Sequence, residues 1–387
     1  MGDHRPRDQV APEPTPPSPH FGTWPRLLLA VLFLYVFLVG IKALEKGIGF
    51  LGAGFVDDVF ATVAHPLAGL AAGVLATVLV QSSSVTTSTI VGLVGAGVLG
   101  IETAVPMVMG ANIGTTITGT LAALGHVRQN AFFRRAFAAA TVHDYFNILA
   151  VIVLFPLEVA FGLVSRIAIG LASLFDGLLP GVSDDPGPVK RAIETPVDAI
   201  TGMFERLGWE GAVGSILIGI GVVLIFLSLW QITTQMRWVV SGQIEAAINR
   251  ILGKGAGAGA MLVGLLLTVA VQSSSITTSM LVPLAAAGVL TLSTVYPVSL
   301  GANVGTTITA LLASVAADNP DALVVAIAHT TFNLLGILIF YPIPMLRRIP
   351  VAIAEWTAEV GARRRGLIAV YIIGMFFVLP IVILFIT

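Results

Sequence analysis

Val80-Gln81-Ser82-Ser83-Ser84-Val85-Thr86-Thr87-Ser88 recurs 191 residues further on as Val271-Gln272-Ser273-Ser274-Ser275-Ile276-Thr277-Thr278-Ser279. Each copy splits an apolar run, about 62–99 and about 258–290, into arms of only 14 or 15 residues. A helix needs about 20 apolar residues to cross a bilayer, so neither arm is long enough. Non-helical polar backbone at membrane depth survives only where protein buries it or it lines a water-filled cavity. Both runs therefore read as re-entrant hairpins whose tips face a site.

The same offset continues downstream of the hairpins. Pro106 matches Pro297, and Gly110-Ala111-Asn112-Ile113-Gly114-Thr115-Thr116-Ile117-Thr118 matches Gly301-Ala302-Asn303-Val304-Gly305-Thr306-Thr307-Ile308-Thr309. A third match, His143-Asp144-Tyr145-Phe146-Asn147 with His329-Thr330-Thr331-Phe332-Asn333, comes at an offset of 186. Each half thus reads as helix, hairpin, helix, helix. Three net crossings per half give the halves opposite topology, the plan of secondary transporters with sites at the repeat interface.

The rest of the chain fits a membrane setting. Of 387 residues 56% are hydrophobic and 11% charged, with a mean hydropathy of +0.95, whereas soluble proteins carry roughly 25% charge. The expected fold is an all-α polytopic membrane protein with seven full spans, about 26–44, 104–124, 136–160, 212–236, 295–317, 322–345 and 367–386, plus the two hairpins. The domain plan is a disordered cytoplasmic tail over 1–24, holding six of the 21 prolines, and repeat 1 over 25–180. An outer linker at 181–211 carries Asp184, Asp185, Lys190 and Arg191, and repeat 2 covers 212–345. An interfacial segment or third hairpin at 346–366 precedes the last helix, 367–387. The first apolar run, ending at Lys42 and Lys46, reads as an uncleaved span. Basic residues collect inside: Arg5, Arg7 and Arg26, then Arg128, Arg134 and Arg135, then Arg237, Arg250 and Lys254, then Arg347, Arg348 and Arg363–Arg365. This sets the N-terminus in the cytoplasm and the turn Asp318–Asp321 outside.

Composition also removes whole classes of chemistry. A net charge of -1 gives no field to attract nucleic acid. With no cysteine, disulfides, thiolate metal sites and cysteine nucleophiles are excluded. The hairpin serines have no Lys or His base within their motif and no Gly-x-Ser-x-Gly elbow occurs, so no enzyme and no cofactor is expected.

What remains is a dense set of neutral hydroxyls and amides, which can donate to an oxyanion or coordinate a hard cation. Isolated Ser and Thr in membrane helices commonly bond their own i−4 carbonyls instead. Gly110, Gly114, Gly301 and Gly305 read equally as packing positions or as part of a site; the neighbouring Asn112, Thr115, Thr116, Asn303, Thr306 and Thr307 tilt that balance towards ligation. None of the motif segments holds Lys or Arg, so a bound dianion needs Na+ for neutralisation, and each would lower the other's desolvation cost. Asp144 reads as the carboxylate set well inside a span, replaced by Thr330 in the repeat. It is a candidate ligand for an additional Na+, or a structural partner of His143 or of Arg134–Arg135. His143 and His329 read as packing or hydrogen-bonding residues, and Glu102 and Glu158 as solvated span ends.

The paired Gln-Ser-Ser-Ser hairpins, the two Gly-Ala-Asn-x-Gly-Thr-Thr segments and Phe133-Arg134-Arg135-Ala136-Phe137 through Asn147 resemble the type II sodium-dependent phosphate cotransporters, over nearly the whole chain from about residue 26. The resemblance implies uptake of phosphate, mainly divalent, with Na+ as coupling ion. It implies that Gln81, Ser82, Ser83, Ser84, Ser273, Ser274 and Ser275 surround phosphate, while Gln272, Ser273, Thr306 and Thr309 line a Na+ site. Asp144, Asn112, Thr115 and Asn303 complete the sodium candidates. The Asp at position 144 marks electrogenic members. Unlike animal members, this sequence has no cysteine, a short outer segment and no long tail, which with its size points to a bacterial inner membrane. An anion channel and a non-transporting phosphate sensor are the rival readings.

Overall fold

Long uncharged apolar stretches leave backbone N–H and C=O groups with no partner but their own helix, and the described residues form helices with no strand among them. The computed structural model describes residues 22–51, 65–175, 188–254 and 257–387. Of the expected tail over 1–24, residues 1–21 lie outside the described residues, as do the first residues of the 62–99 run and Asp184 and Asp185 of the linker, while Thr23 and Trp24 belong to the first helix and not to a tail.

The first half runs α1 (Thr23–Leu51), α2 (Pro66–Val80), α3 (Ser83–Gly95), α4 (Ile101–Thr115), α5 (Ile117–Leu124), α6 (Asn130–Phe161) and α7 (Leu163–Ala172). A connecting helix α8 (Pro188–Arg206) follows, then α9 (Val213–Lys254), α10 (Ala258–Val271), α11 (Ser274–Ala286), α12 (Leu292–Ser314) and α13 (Asp321–Phe340). The chain ends with α14 (Pro344–Arg363), α15 (Gly366–Ile373), a π-helical turn at Gly374–Val378 and α16 (Leu379–Ile386). Seven stretches are long and apolar enough to cross a membrane: Thr23–Leu51, Ile101–Leu124, Asn130–Phe161, Val213–Val240, Leu292–Ser314, Asp321–Phe340 and Gly366–Ile386. Each overlaps an expected span, and the protein is an all-helical polytopic membrane protein. The two interrupted runs fold as short helices of 15 and 13 residues, and of 14 and 13 residues, broken at Gln81–Ser82 and Gln272–Ser273.

The first helices of the two halves, α1 and α9, pack antiparallel at glycine contacts. A Cβ on Gly47 would lie 2.8 Å from the Gly214 carbonyl oxygen, and one on Gly221 would lie 2.6 Å from the Leu44 nitrogen. Close approach through small residues is the ordinary means of joining helices in lipid. Around the crossing of α6, α12 and α13, the rings of Phe146, Tyr296 and Phe332 are buried.

Three expectations about charged residues are corrected. Lys42 does not end the first span: α1 continues to Leu51, and the Lys42 side chain is buried. Its ammonium bonds Asp318 and lies 3.4 Å from Glu45 and 3.5 Å from Glu194, so burial is compensated by carboxylates from three other positions. Asp144 consequently shares the status of buried carboxylate with Glu45, whose Oε1 accepts the Asp318 N–H at 3.0 Å. Glu158 is buried rather than solvated. It follows the chain around Gly162, in the left-handed region at φ 59°, and accepts the N–H groups of Val164 at 2.6 Å and Ser165 at 3.2 Å. A carboxylate at a helix N-terminus satisfies donors that the helix leaves free. Within the 181–211 linker, α8 is an amphipathic helix that lays Ile193 and Val197 against the core.

Asp318 fastens the α12–α13 turn, meeting Lys42 and, at 2.7 Å, Lys190, while Asn319 donates to the Val94 carbonyl at 3.2 Å. Burial alone would push the Asp318 carboxyl up, but bonds and charges from Lys190 and Lys42 hold it below the usual carboxylate range. A depressed folded-state value contributes stability above the unfolded pKa, about 3.9, and loses it as pH falls through the folded value. Asp318→Asn should therefore lower the thermal midpoint in detergent at pH 7, and the gap from wild type should close as the pH is taken below about 4.

Candidate functional site

Each interrupted helix pair turns on a glutamine. Gln81 and Gln272 have φ values of 58° and 56°, the positive-φ non-glycine residues among those described. This left-handed conformation costs an L-residue about 1–2 kcal/mol. The side chains offset that cost: the Gln81 amide donates to the Val78 carbonyl at 2.5 Å and the Gln272 amide to Val269 at 2.6 Å, capping the arm that ends there. The amide oxygens accept from the next helix, Gln81 from Thr118 at 3.2 Å and Gln272 from Thr309 at 2.8 Å. Thr118 and Thr309 are mates at the 191-residue offset.

The following helices start immediately. Ser82 and Ser273 are the N-caps, their hydroxyls accepting from Val85 at 3.3 Å and Ile276 at 3.4 Å. The first-turn N–H groups of α3 and α11 are left without helical partners, at the positive end of each dipole. The two turns face each other: the Ser84 hydroxyl donates to the Gln272 carbonyl at 3.3 Å. The first turn is thus brought to the second through Ser84 and Gln272.

Part of the hydroxyl set does bond its own helix. Thr86, Thr87, Thr277 and Thr278 donate to the carbonyls of Ser82, Ser83, Ser273 and Ser274. Thr115 and Thr306 do the same towards Ala111 and Ala302, at 3.0 and 3.1 Å. A hydroxyl that has given its proton away keeps lone pairs for a cation but cannot donate to an anion. Hydroxyls committed in this way, that of Ser84 included, could serve a cation but not an anion, whereas the N-cap hydroxyls of Ser82 and Ser273, which accept, keep a proton to give.

Asn112 and Asn303 lie off the turns, in a buried amide chain that crosses between the halves. His143 Nε2 donates to Asn303 Oδ1 at 2.6 Å, and Asn303 donates to Asn147 Oδ1 at 2.7 Å. Asn147 donates to the Asn112 carbonyl at 2.9 Å, and Asn333 to Asn112 Oδ1 at 3.3 Å. Asn147 and Asn333 are repeat mates within the third match and stand outside the site residues expected from the sequence.

Asp144 is fully buried and pairs with neither His143 nor the arginines; Arg134 bridges to Glu359 at 2.5 Å. Its Oδ2 accepts the hydroxyls of Thr120 at 2.8 Å and Tyr371 at 2.9 Å, and its Oδ1 has no partner. Neither donor is among the residues expected from the sequence. Thr120 had a signal, since its repeat mate is Leu311, so it appears and disappears together with Asp144. Tyr371, in the last span, has no mate to compare.

Residues 36–179 and 224–341 match the Na+/Pi-cotransporter family. These stretches hold both turns, the amide chain and most of the residues, and the chain belongs to that family. It is 32% identical over 423 residues to the sodium-dependent phosphate transport protein 2A of Ovis aries, covering 91% of this chain and 66% of that protein. It is 31% identical over 444 residues to the sodium-dependent phosphate transport protein 2B of Homo sapiens, covering 92% of this chain and 64% of that one. The chain spans just under two thirds of the length of these relatives. No solved structure matches it.

The glycines next to the site pack helix on helix. A Cβ on Gly110 would meet the Leu70 carbonyl oxygen at 2.0 Å, and one on Gly301 that of Met261 at 1.8 Å. A Cβ on Gly114 or on Gly305 would lie 2.7 Å from a threonine Cβ, of Thr77 and of Thr268 respectively. They bring α2 against α4 and α10 against α12, which fixes each turn over its threonine helix. Gly301→Ala should lower the thermal midpoint and the monodisperse fraction on size exclusion, as overpacking by about 1–3 kcal/mol or more would. Gly219→Ala, with nothing within 4 Å of its Cβ, should be silent.

Proposed function

We propose that this protein is a secondary active transporter that takes up inorganic phosphate, chiefly the divalent form, together with Na+ by alternating access. The observation that carries the reading is the meeting of the two Gln-Ser-Ser-Ser turns, where Ser84 donates to the Gln272 carbonyl at 3.3 Å. A helix starts at each turn with serines in its first residues and no lysine or arginine in the motif, a setting that favours an anion yet cannot neutralise it alone. Gln81, Ser82, Ser83, Ser84, Ser273, Ser274 and Ser275 would surround phosphate. Gln272, Ser273, Thr306 and Thr309 would hold one Na+, in keeping with the bond from Thr309 to Gln272. Asp144 would hold a further Na+ and make the cycle electrogenic, with Asn112, Thr115 and Asn303 in supporting positions. The relatives' names, sodium-dependent phosphate transport proteins, point the same way.

In this reading the halves, residues 25–180 and 212–345, are inverted-topology repeats, and the helix pairs α2–α3 and α10–α11 are re-entrant hairpins entering from opposite faces. The protein sits in a bacterial inner membrane with its N-terminus in the cytoplasm and 346–366 at the cytoplasmic interface. Alternating access follows from moving the turns together past α1 and α9.

Labelled phosphate uptake into proteoliposomes tests this. An inward Na+ gradient should drive accumulation above equilibrium, replacement of Na+ by K+ should abolish it, and an inside-negative potential should accelerate it. Phosphate flux that ignores Na+ and merely equilibrates would make the protein a channel, and absence of flux would make it a sensor.

A further inference from the structure

The surroundings of Asp144 are built from an element that stands outside both repeats. Tyr371 lies in Gly366–Ile386, beyond the stretches 36–179 and 224–341 that match the family. Its hydroxyl donates to Asp144 Oδ2 at 2.9 Å, beside the 2.8 Å bond from Thr120. Its ring is fixed on three sides, with centroids 5.9 Å from Tyr145, 6.5 Å from Phe137 and 6.1 Å from Phe376. The π-helical turn Gly374–Val378 follows three residues later and carries the fully buried Phe376. Such turns shift the register of one helix face and gather at functional sites.

The two hydroxyls both go to one oxygen, and the Thr116 hydroxyl that lies near the carboxyl gives its proton to the Ile113 carbonyl at 2.8 Å. Oδ1 of Asp144 is buried without a partner, and a buried carboxylate left half satisfied is costly unless something completes it. None of the basic side chains near it in sequence does so, since Arg134 is bridged to Glu359, Arg135 donates to the Ala131 carbonyl at 3.4 Å and His143 is bonded to Asn303. We infer that Tyr371 is the positioning residue of a monovalent cation seat at Asp144: with Thr120 it reserves Oδ2 and aims Oδ1 at the ion. The inference rests on the reading of Asp144 as a Na+ ligand and adds the last span to the transport machinery. Partners that hold a ligating carboxylate through its second oxygen commonly set metal affinity by about 10–100-fold. The asymmetry agrees, because Leu311 and Thr330 replace Thr120 and Asp144 in the second half, so the last span is required on one side only.

The test uses the full chain as wild type, Tyr371→Phe, Thr120→Val, Asp144→Asn and the double variant Tyr371→Phe/Asp144→Asn. Phosphate uptake is measured against Na+ at saturating phosphate and against phosphate at saturating Na+, and binding of labelled Na+ to purified protein is measured without phosphate. Tyr371→Phe keeps the ring and should raise the half-saturating Na+ concentration by about tenfold. Its phosphate KM and maximal rate at saturating Na+ should stay within about twofold of wild type. Thr120→Val should shift in the same direction, and on the Asp144→Asn background Tyr371→Phe should add nothing. The inference is overturned if Tyr371→Phe leaves Na+ affinity unchanged, if it lowers the maximal rate alone, or if its effect persists without Asp144. Should wild type show no Na+-driven uptake, the transport reading fails by itself. The Na+ binding arm still decides Tyr371, by whether the component lost in Asp144→Asn is weakened in Tyr371→Phe.

Discussion

Breaking a helix inside a bilayer exposes backbone donors and acceptors that lipid cannot satisfy, at a cost of several kcal/mol for each group. Everything at the centre of this protein follows from how that cost is met at Gln81 and Gln272. A glycine would take the left-handed turn without strain but could not cap the arm before it. Glutamine does both jobs through one side chain, its amide closing on Val78 or Val269 and its oxygen receiving Thr118 or Thr309. The break becomes a turn tied to the neighbouring helix, and the helix that restarts at Ser83 or Ser274 begins with N–H groups that have no helical partner. Backbone N–H groups that need partners are what an anion could satisfy.

The same logic of exchange binds the halves to each other. Asn147 and His143 of the first half reach Asn303 of the second, while Asn333 of the second reaches Asn112 of the first. Amide bonds of this kind, shielded from water, act as directional fastenings where apolar contact alone gives none. Against that near-symmetry the departures carry information. Lys42 with its carboxylates, and Asp144 with Thr120 and Tyr371, have no counterparts in the other half, and both tie repeat elements to segments outside the repeat plan, α8 in one case and the last span in the other.

Much of this was legible in the sequence because membrane insertion imposes length and polarity rules that act locally. Seven spans and two interrupted runs could be counted from apolar length, and the 191-residue offset paired Gln81 with Gln272 and Asn112 with Asn303. The offset also paired Thr118 with Thr309, and the mismatch of Thr120 with Leu311 marks the other threonine of that helix. Lys42 and Glu158 misled because a charge near a span end reads as a membrane boundary, whereas burial depends on partners distant in sequence, such as Asp318. Tyr371 gave no signal at all: a tyrosine in an apolar helix is ordinary, and only the fold brings it 227 positions back to Asp144.

Because the chain has no native cysteine, the meeting of the two turns can be measured without background. In a Ser84→Cys/Gln272→Cys variant reconstituted in lipid, a short homobifunctional thiol reagent should join the two sites. After specific cleavage between residues 181 and 211, the halves should then remain linked on a denaturing gel, and phosphate with Na+ should slow the reaction. Halves that separate completely under every condition, while each cysteine alone reacts with a monofunctional reagent, would contradict the account.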